Sequence, residues 1–210
     1  MKILNVNAAI VLPSLIEMIQ EKKVYLSEID GKIGDGDHGI NMSKGFTLCQ
    51  ERLSGKDYTF SEGLMTLSDT LMEDIGGSMG PLYGVLFSEM SLACEDEIDA
   101  VVFENMMKSG LAGIQDISTA VPGDKTLLDT LVPAVESYSA ALAAGKNFIT
   151  ALEEMKAGAK AGWESTEDMV ANLGRSSRLG ERSRGILDPG ATSCYLILSK
   201  MADELEAQLA

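Results

Sequence analysis

Three aspartates fall within eight residues in Asp30-Gly31-Lys32-Ile33-Gly34-Asp35-Gly36-Asp37-His38-Gly39. Carboxylates this crowded repel one another unless a cation sits among them. Mg2+ suits such a set, because it takes hard oxygen ligands and keeps coordination sites for water and substrate phosphate. Asp30, Asp35 and Asp37 are therefore candidate metal ligands, and a bound cation would convert an acidic, phosphate-repelling loop into a phosphate-binding one. The bland alternative is a solvated turn in which Asp37 caps the following helix. Two familiar loops are excluded. Gly34, Gly36 and Gly39 spell G-x-G-x-x-G, but a dinucleotide-binding turn follows a buried strand and bares its N–H groups, whereas this one follows a predicted helix and carries acids between its glycines. An EF-hand counted from Asp30 places Lys32 at a ligand position and Asn41 where a bidentate Glu belongs.

His38 is the only histidine, and a polar contact to a ligand beside the metal suits it better than phosphoryl carriage or base catalysis, for which no partner residue is evident. Asn41 lies one turn after Asp37 on the same helical face. Gly76-Gly77-Ser78-Met79-Gly80-Pro81 should open a helix at Pro81, whose N-terminus can meet an anion. No Lys-Ser or Lys-Thr follows, which excludes a P-loop. Gly123-Asp124-Lys125-Thr126 reads as a helix start capped by Asp124. Arg175, Arg178, Arg182 and Arg184 are four of the five arginines in the chain. Guanidinium groups capture phosphate or carboxylate in bidentate fashion, although Glu181 and Asp188 could pair with some of them. Asp188-Pro189-Gly190 then forms a turn before an apolar helix.

The elements that must position these loops are helices. Apolar spacing of three and four, as in Leu64, Leu67 and Leu71, predicts about eight of them, over 5–27, 37–53, 62–74, 81–94, 99–118, 125–143, 147–173 and 190–207. Ser61 is expected to cap the third, Gly145 separates the sixth from the seventh, and Pro13 and Pro133 should disturb helix interiors. Four connections remain: Asp30 to Gly39, Gly76 to Gly80, Ser118 to Thr126, and Gly174 to Gly190. The 210 residues, 45% hydrophobic and 23% charged, suffice for one domain spanning 1–210. A net charge of -15 argues against nucleic acid as a partner. No apolar stretch reaches membrane-spanning length, so no membrane is expected and the location reads as cytoplasmic. Cys49, Cys94 and Cys194 lack metal-ligand or disulfide spacing. The twelve methionines read as core filler.

Taken together, Gly34 to Met42, Gly76 to Gly84, Gly123 to Thr126, Gly174 to Ser177, Leu179 to Ser183 and Asp188 to Ser193 resemble, in order and spacing, the L subunits of bacterial dihydroxyacetone kinases, of the stand-alone phosphoenolpyruvate-dependent form. The resemblance implies an all-α barrel of eight antiparallel helices with a nucleotide at one end. It implies ADP/ATP and Mg2+ as cofactors, with Asp30, Asp35 and Asp37 as metal ligands. His38, Gly39, Ile40, Asn41, Ser78, Met79, Leu127, Arg175, Asp188, Pro189 and Gly190 would surround the nucleotide. It further implies two partners: a K subunit that holds dihydroxyacetone covalently and receives the γ-phosphoryl, and a phosphocarrier M subunit that restores ATP. No catalytic residue in this chain is implied. Met79 stands where the family usually has serine, Ser118 and Thr119 where Gly-Lys is frequent, and Arg178, Arg184 and Leu187 where Tyr, Ile and Gln are common. A kinase subunit for another small ketose and a non-catalytic regulatory paralogue are the alternatives.

Overall fold

The computed structural model describes all 210 residues. Strand β1 (Lys2–Leu4) and a short helix α1 (Asn5–Ala8) precede eight longer helices. These are α2 (Val11–Ile33), α3 (His38–Leu53), α4 (Phe60–Asp74), α5 (Met79–Leu92), α6 (Ala100–Ile117), α7 (Leu128–Ala143), α8 (Phe148–Ser165) and α9 (Pro189–Leu209). Strand β2 (Glu97–Asp99) lies before α6. A 3-10 turn at Thr166–Asp168 and a 3-10 segment at Arg175–Ser183, broken by a non-helical Gly180, join α8 to α9. From α2 onward each helix packs on its sequence neighbour, and α2 packs on α9, closing the ring. The all-α barrel expectation holds. The only sheet is the antiparallel pair of β1 and β2, with Ile3 opposite Ile98. At three residues each, these strands are too short to show alternation.

Helix bounds move for physical reasons. Thr59, not Ser61, caps α4: its side chain accepts from the Glu62 N–H while the Glu62 carboxylate accepts from the Thr59 N–H, a reciprocal capping box. Asp99 caps α6 and Asn147 caps α8. Asp124 caps nothing, because α7 starts only at Leu128. Helix α2 runs to Ile33 rather than 27, and α8 stops at Ser165 rather than 173. Pro13 sits in the first turn of α2, where an N–H has no intrahelical acceptor to lose. Pro133 lies inside α7 and cannot donate to the Asp129 carbonyl four residues earlier. Helix α8 approaches there so closely that a Cβ on Gly162 would collide with that carbonyl.

A single cluster of 47 buried residues fills the ring. Met42, Met90, Met106, Met107, Met155 and Met201 are completely buried within it, as fillers of irregular space. All three cysteines are free; Cys49 and Cys194 are buried and Cys94 half-buried. No helix is long and apolar enough to cross a membrane.

Candidate functional site

The extension of α2 carries Asp30 into the helix, where it is buried in the last turn. Its carbonyl accepts from the Gly34 N–H (2.5 Å) and its Oδ2 from the His38 N–H (3.2 Å), so one residue joins the end of α2 to the start of α3. A Cβ on Gly34 would run into the Asp30 carboxylate, and Gly36 has φ +78°, which explains a glycine at each place. Asp35 and Asp37 project from this turn. One carboxylate oxygen from each of the three aspartates lies within 4.8 Å of the others, a donor set that fits a hard divalent cation. Asp37 occupies the N-cap position of α3, yet its side chain accepts nothing from the helix, contrary to a pure capping role. Arg175 reaches this cluster, pairing with Asp35 and lying 3.7 Å from Asp37.

The remaining arginines separate. Arg184 pairs with Glu181 (3.1 Å) and donates to the Asp168 carbonyl, while Arg178 and Arg182 extend into solvent without ion pairs. Asp188 does not pair with any arginine. It is buried at the start of α9, where its Oδ2 accepts from the Ala191 N–H (2.7 Å). Burial pushes its carboxyl up to about 7; Asp129 adds to the shift, while N–H donation from Ala191 and Gly190 and the charge of Lys125 oppose it.

His38, expected to meet a ligand, contacts protein: Nε2 lies 2.9 Å from Ser193 Oγ, which lies 2.6 Å from Tyr83 Oη. Tyr83 Oη in turn donates to the Gly190 carbonyl (3.2 Å). The three side chains thereby connect the aspartate loop, α5 and the start of α9. Burial pushes the His38 imidazole down to about 4, opposed by Asp30, so the ring is neutral at neutral pH. Tyr83 and Ser193 fall within stretches that carry the family resemblance but are not among the residues expected at the site. Their signal was a tyrosine in an apolar helix, whose hydroxyl requires a partner when buried.

Leu127 is buried against Gly190: a Cβ on that glycine would stand 3.5 Å from the Leu127 backbone N. Helix α5 begins at Met79 rather than Pro81, with Ser78 exposed at the N-cap position and making no side-chain cap. The Met79 side chain belongs to the core, which leaves its backbone to face any ligand. A Cβ on Gly39 would strike the Lys23 carbonyl, so this glycine serves the crossing of α2 and α3. Ile40 is exposed and Asn41 half-buried in the first turn of α3. The structure thus gathers Asp30, Asp35, Asp37, His38 and Arg175 directly, and ties Leu127 and Asp188 to Gly190 to them through Ser193 and Tyr83. Ser78 and Met79 join through α5 alone.

The DAK2 domain family model matches residues 32–203. The chain is 36% identical over 191 residues to the ADP-binding subunit DhaL of the PEP-dependent dihydroxyacetone kinase of Escherichia coli, covering 89% of this chain and 90% of that protein. It is 36% identical over 187 residues to the ADP-binding subunit DhaL of PEP-dependent dihydroxyacetone kinase 1 of Listeria innocua, covering 88% and 89%. The crystal structure of the dihydroxyacetone kinase from C. freundii in complex with AMP-PNP and Mg2+ superposes with a TM-score of 0.69 at 22% identity over 97% of this chain, which spans 34% of that larger protein.

Proposed function

The chain belongs to the DAK2 domain family, and on that premise we propose that it is the nucleotide-carrying subunit of a phosphoenolpyruvate-dependent dihydroxyacetone phosphotransferase. It holds ADP or ATP with Mg2+ and passes the γ-phosphoryl to dihydroxyacetone bound on a separate K subunit. A phosphocarrier M subunit then restores ATP. The observation that carries this reading is the convergence of Asp30, Asp35 and Asp37 beside the N-termini of α3 and α9, in a chain similar over nearly its whole length to ADP-binding subunits.

The chemistry suits this arrangement. Phosphoryl transfer needs alignment and charge neutralisation more than covalent participation by the protein. Mg2+, when bound, neutralises phosphate charge. Asp30, Asp35 and Asp37 would hold the cation, with Asp30 fixed by its helix and its bond to the His38 N–H. Arg175 pairs with Asp35 and lies close to Asp37; a cation competes for the same oxygens and frees the guanidinium for phosphate. The N-termini of α3 and α5, at His38 to Asn41 and Ser78 to Met79, would add N–H groups and a positive dipole end. Leu127 and Asp188 to Gly190 would form the adjoining wall. Nothing in the chain need act as a base, and activation of the hydroxyl falls to the K subunit. The whole chain, 1–210, would act as one nucleotide-binding unit, a reading supported by its continuous core. Free thiols support a cytoplasmic setting.

The test is to purify the protein without added nucleotide, denature it, and assay released nucleotide and magnesium, with and without prior chelation. Stoichiometric ADP that leaves only after chelation is the expected result. An empty protein that takes up no ADP with Mg2+ would overturn the reading.

A further inference from the structure

Lys125, whose charge lies near Asp188, has an unusual conformation. It is the only non-glycine residue with positive φ, at +63°, a left-handed conformation that costs on the order of 1 kcal/mol and persists only where the surroundings enforce it. The side chain is 1% exposed and forms no ion pair, but its ammonium donates to the carbonyls of Ser183 (2.5 Å) and Met169 (3.1 Å). Both shoulders of its turn are fixed by Asp129, which accepts from the Gly123 N–H (2.5 Å) and the Thr126 N–H (2.7 Å). Next to it, the Asp124 carbonyl and carboxylate accept from the Asn172 N–H (3.2 Å) and Nδ2 (3.1 Å). The two carbonyls that Lys125 holds bracket the stretch 169–183. That stretch is closed at its base by the Ala171 N–H donating to Ser183 Oγ (2.9 Å), and Arg175 lies within it.

We propose that Lys125 is a positioning residue of the nucleotide site: by clamping both ends of the 169–183 stretch, it holds Arg175 over Asp35 and Asp37. The proposal rests on the nucleotide reading above for its functional half only. A lysine suits the task because its compact ammonium can donate to several carbonyls at once, and the lack of a carboxylate partner leaves it dependent on them. Burial pushes its ammonium below the ordinary lysine range, opposed by the nearby charges of Asp188 and Glu167.

The experiment compares the wild-type protein with Lys125→Met, Lys125→Gly, Arg175→Gln and the double variant Lys125→Gly/Arg175→Gln. Trypsin reads the clamp directly, since Arg175, Arg178, Arg182 and Arg184 supply cleavage sites in the stretch and at its edge. Lys125→Gly guards against misfolding, because glycine accepts positive φ without strain. Expected is cleavage in the stretch about tenfold faster in both Lys125 variants, with the melting temperature of Lys125→Gly unchanged. ADP release should accelerate about tenfold in Lys125→Gly and in Arg175→Gln, and no further in the double variant. Arg175→Gln alone should leave cleavage after Arg178, Arg182 and Arg184 unchanged. Wild-type cleavage in Lys125→Gly overturns the clamp, and multiplying effects on ADP release overturn its action through Arg175. A wild-type protein that never holds ADP would sink the nucleotide reading instead, with the trypsin comparison still deciding the clamp.

Discussion

The two ends of the barrel begin their helices differently. At the end bearing β1 and β2, helices α4, α6 and α8 start at Thr59, Asp99 and Asn147, and each side chain accepts an N–H of its own first turn. At the opposite end, α3, α5 and α7 start at Asp37, Ser78 and Leu127, none of which accepts from its own helix. Helix α2 also starts at the end bearing β1 and β2, with Ile10 at its N-cap and no side-chain acceptor, so the self-capped set is α4, α6 and α8. In the second set the His38 N–H goes to Asp30 and the Leu128 N–H to the Thr126 hydroxyl just before α7, while the start of α5 has no side-chain cap and is open to an incoming anion. Helix α9 is a mixed case: Asp188 caps it, but from a buried position at which the carboxylate is costly to ionise. An open hollow of about 510 Å³ lies at the capped end, among Val6, Ile10, Pro13, Tyr58 and Glu62. It contains no cluster of metal-ligating groups; the three aspartates that could hold a cation lie at the other end.

The contrast would break most decisively if charge at the uncapped end proved dispensable. Asp35→Asn combined with Asp37→Asn should weaken Mg2+-dependent ADP retention by more than about 100-fold, beyond the 10–100-fold cost typical of losing an outer-sphere partner. The melting temperature should hold or rise, because two repelling carboxylates are removed. Thr59→Ala at the capped end should leave retention untouched. Equilibrium dialysis against ADP with Mg2+ measures both. Equal loss in the two proteins would end the distinction between the ends.

A smaller effect comes from two buried groups at the site end that titrate in opposite senses. Asp188 sits at about 7 in the fold against 3.8, so the folded state holds its proton more tightly. Its contribution is complete below 3.8 and is lost as pH rises through 7. His38 sits at about 4 against 6.5, so the unfolded state binds the extra proton, and stability rises with pH until it is complete above 6.5. The two slopes oppose each other from about 4 to 6.5, and above that only Asp188 acts. Asp188→Asn should therefore expose the His38 slope, and His38→Gln the Asp188 slope, each on the order of 2 kcal/mol between about pH 5 and 7. Urea unfolding of metal-free protein at about pH 5, 6 and 7 reads both. Parallel slopes in the two variants would refute the assignment.

These two groups also mark what the sequence could and could not reveal. Leu64, Leu67 and Leu71 announce α4 by spacing alone, and the density of Asp30, Asp35 and Asp37 marks them as candidate cation ligands. Thr59 and Glu62 were legible as a capping box, yet Ser61 beside them offered the same chemistry. Asp30 looked like a loop residue because glycine and charge follow it, although burial of Ile29 and Ile33 carries α2 through. The link from His38 to Ser193 spans 155 positions; no periodicity encodes it, since it exists only once α3 and α9 close the ring. Lys125 was hidden differently. A strained lysine and a relaxed one are written with the same letter.

The smallest effects sharpen the comparison at the caps themselves. Thr59→Ala removes an acceptor for the Glu62 N–H and frees the Glu62 carboxylate, which should cost about 1 kcal/mol in urea unfolding. Ser78→Ala removes a side chain that accepts nothing from α5, so its cost should stay within about 0.5 kcal/mol, as at an ordinary surface site. The order should reverse when ADP release is measured: Thr59→Ala leaves it unchanged, whereas Ser78→Ala removes a hydroxyl from the rim of the proposed nucleotide site and accelerates release a few-fold. A Ser78→Ala protein as destabilised as Thr59→Ala would mean that Ser78 caps α5 in solution. The uncapped end would then owe its anion affinity to the aspartate-bound cation and Arg175 rather than to free helix N-termini.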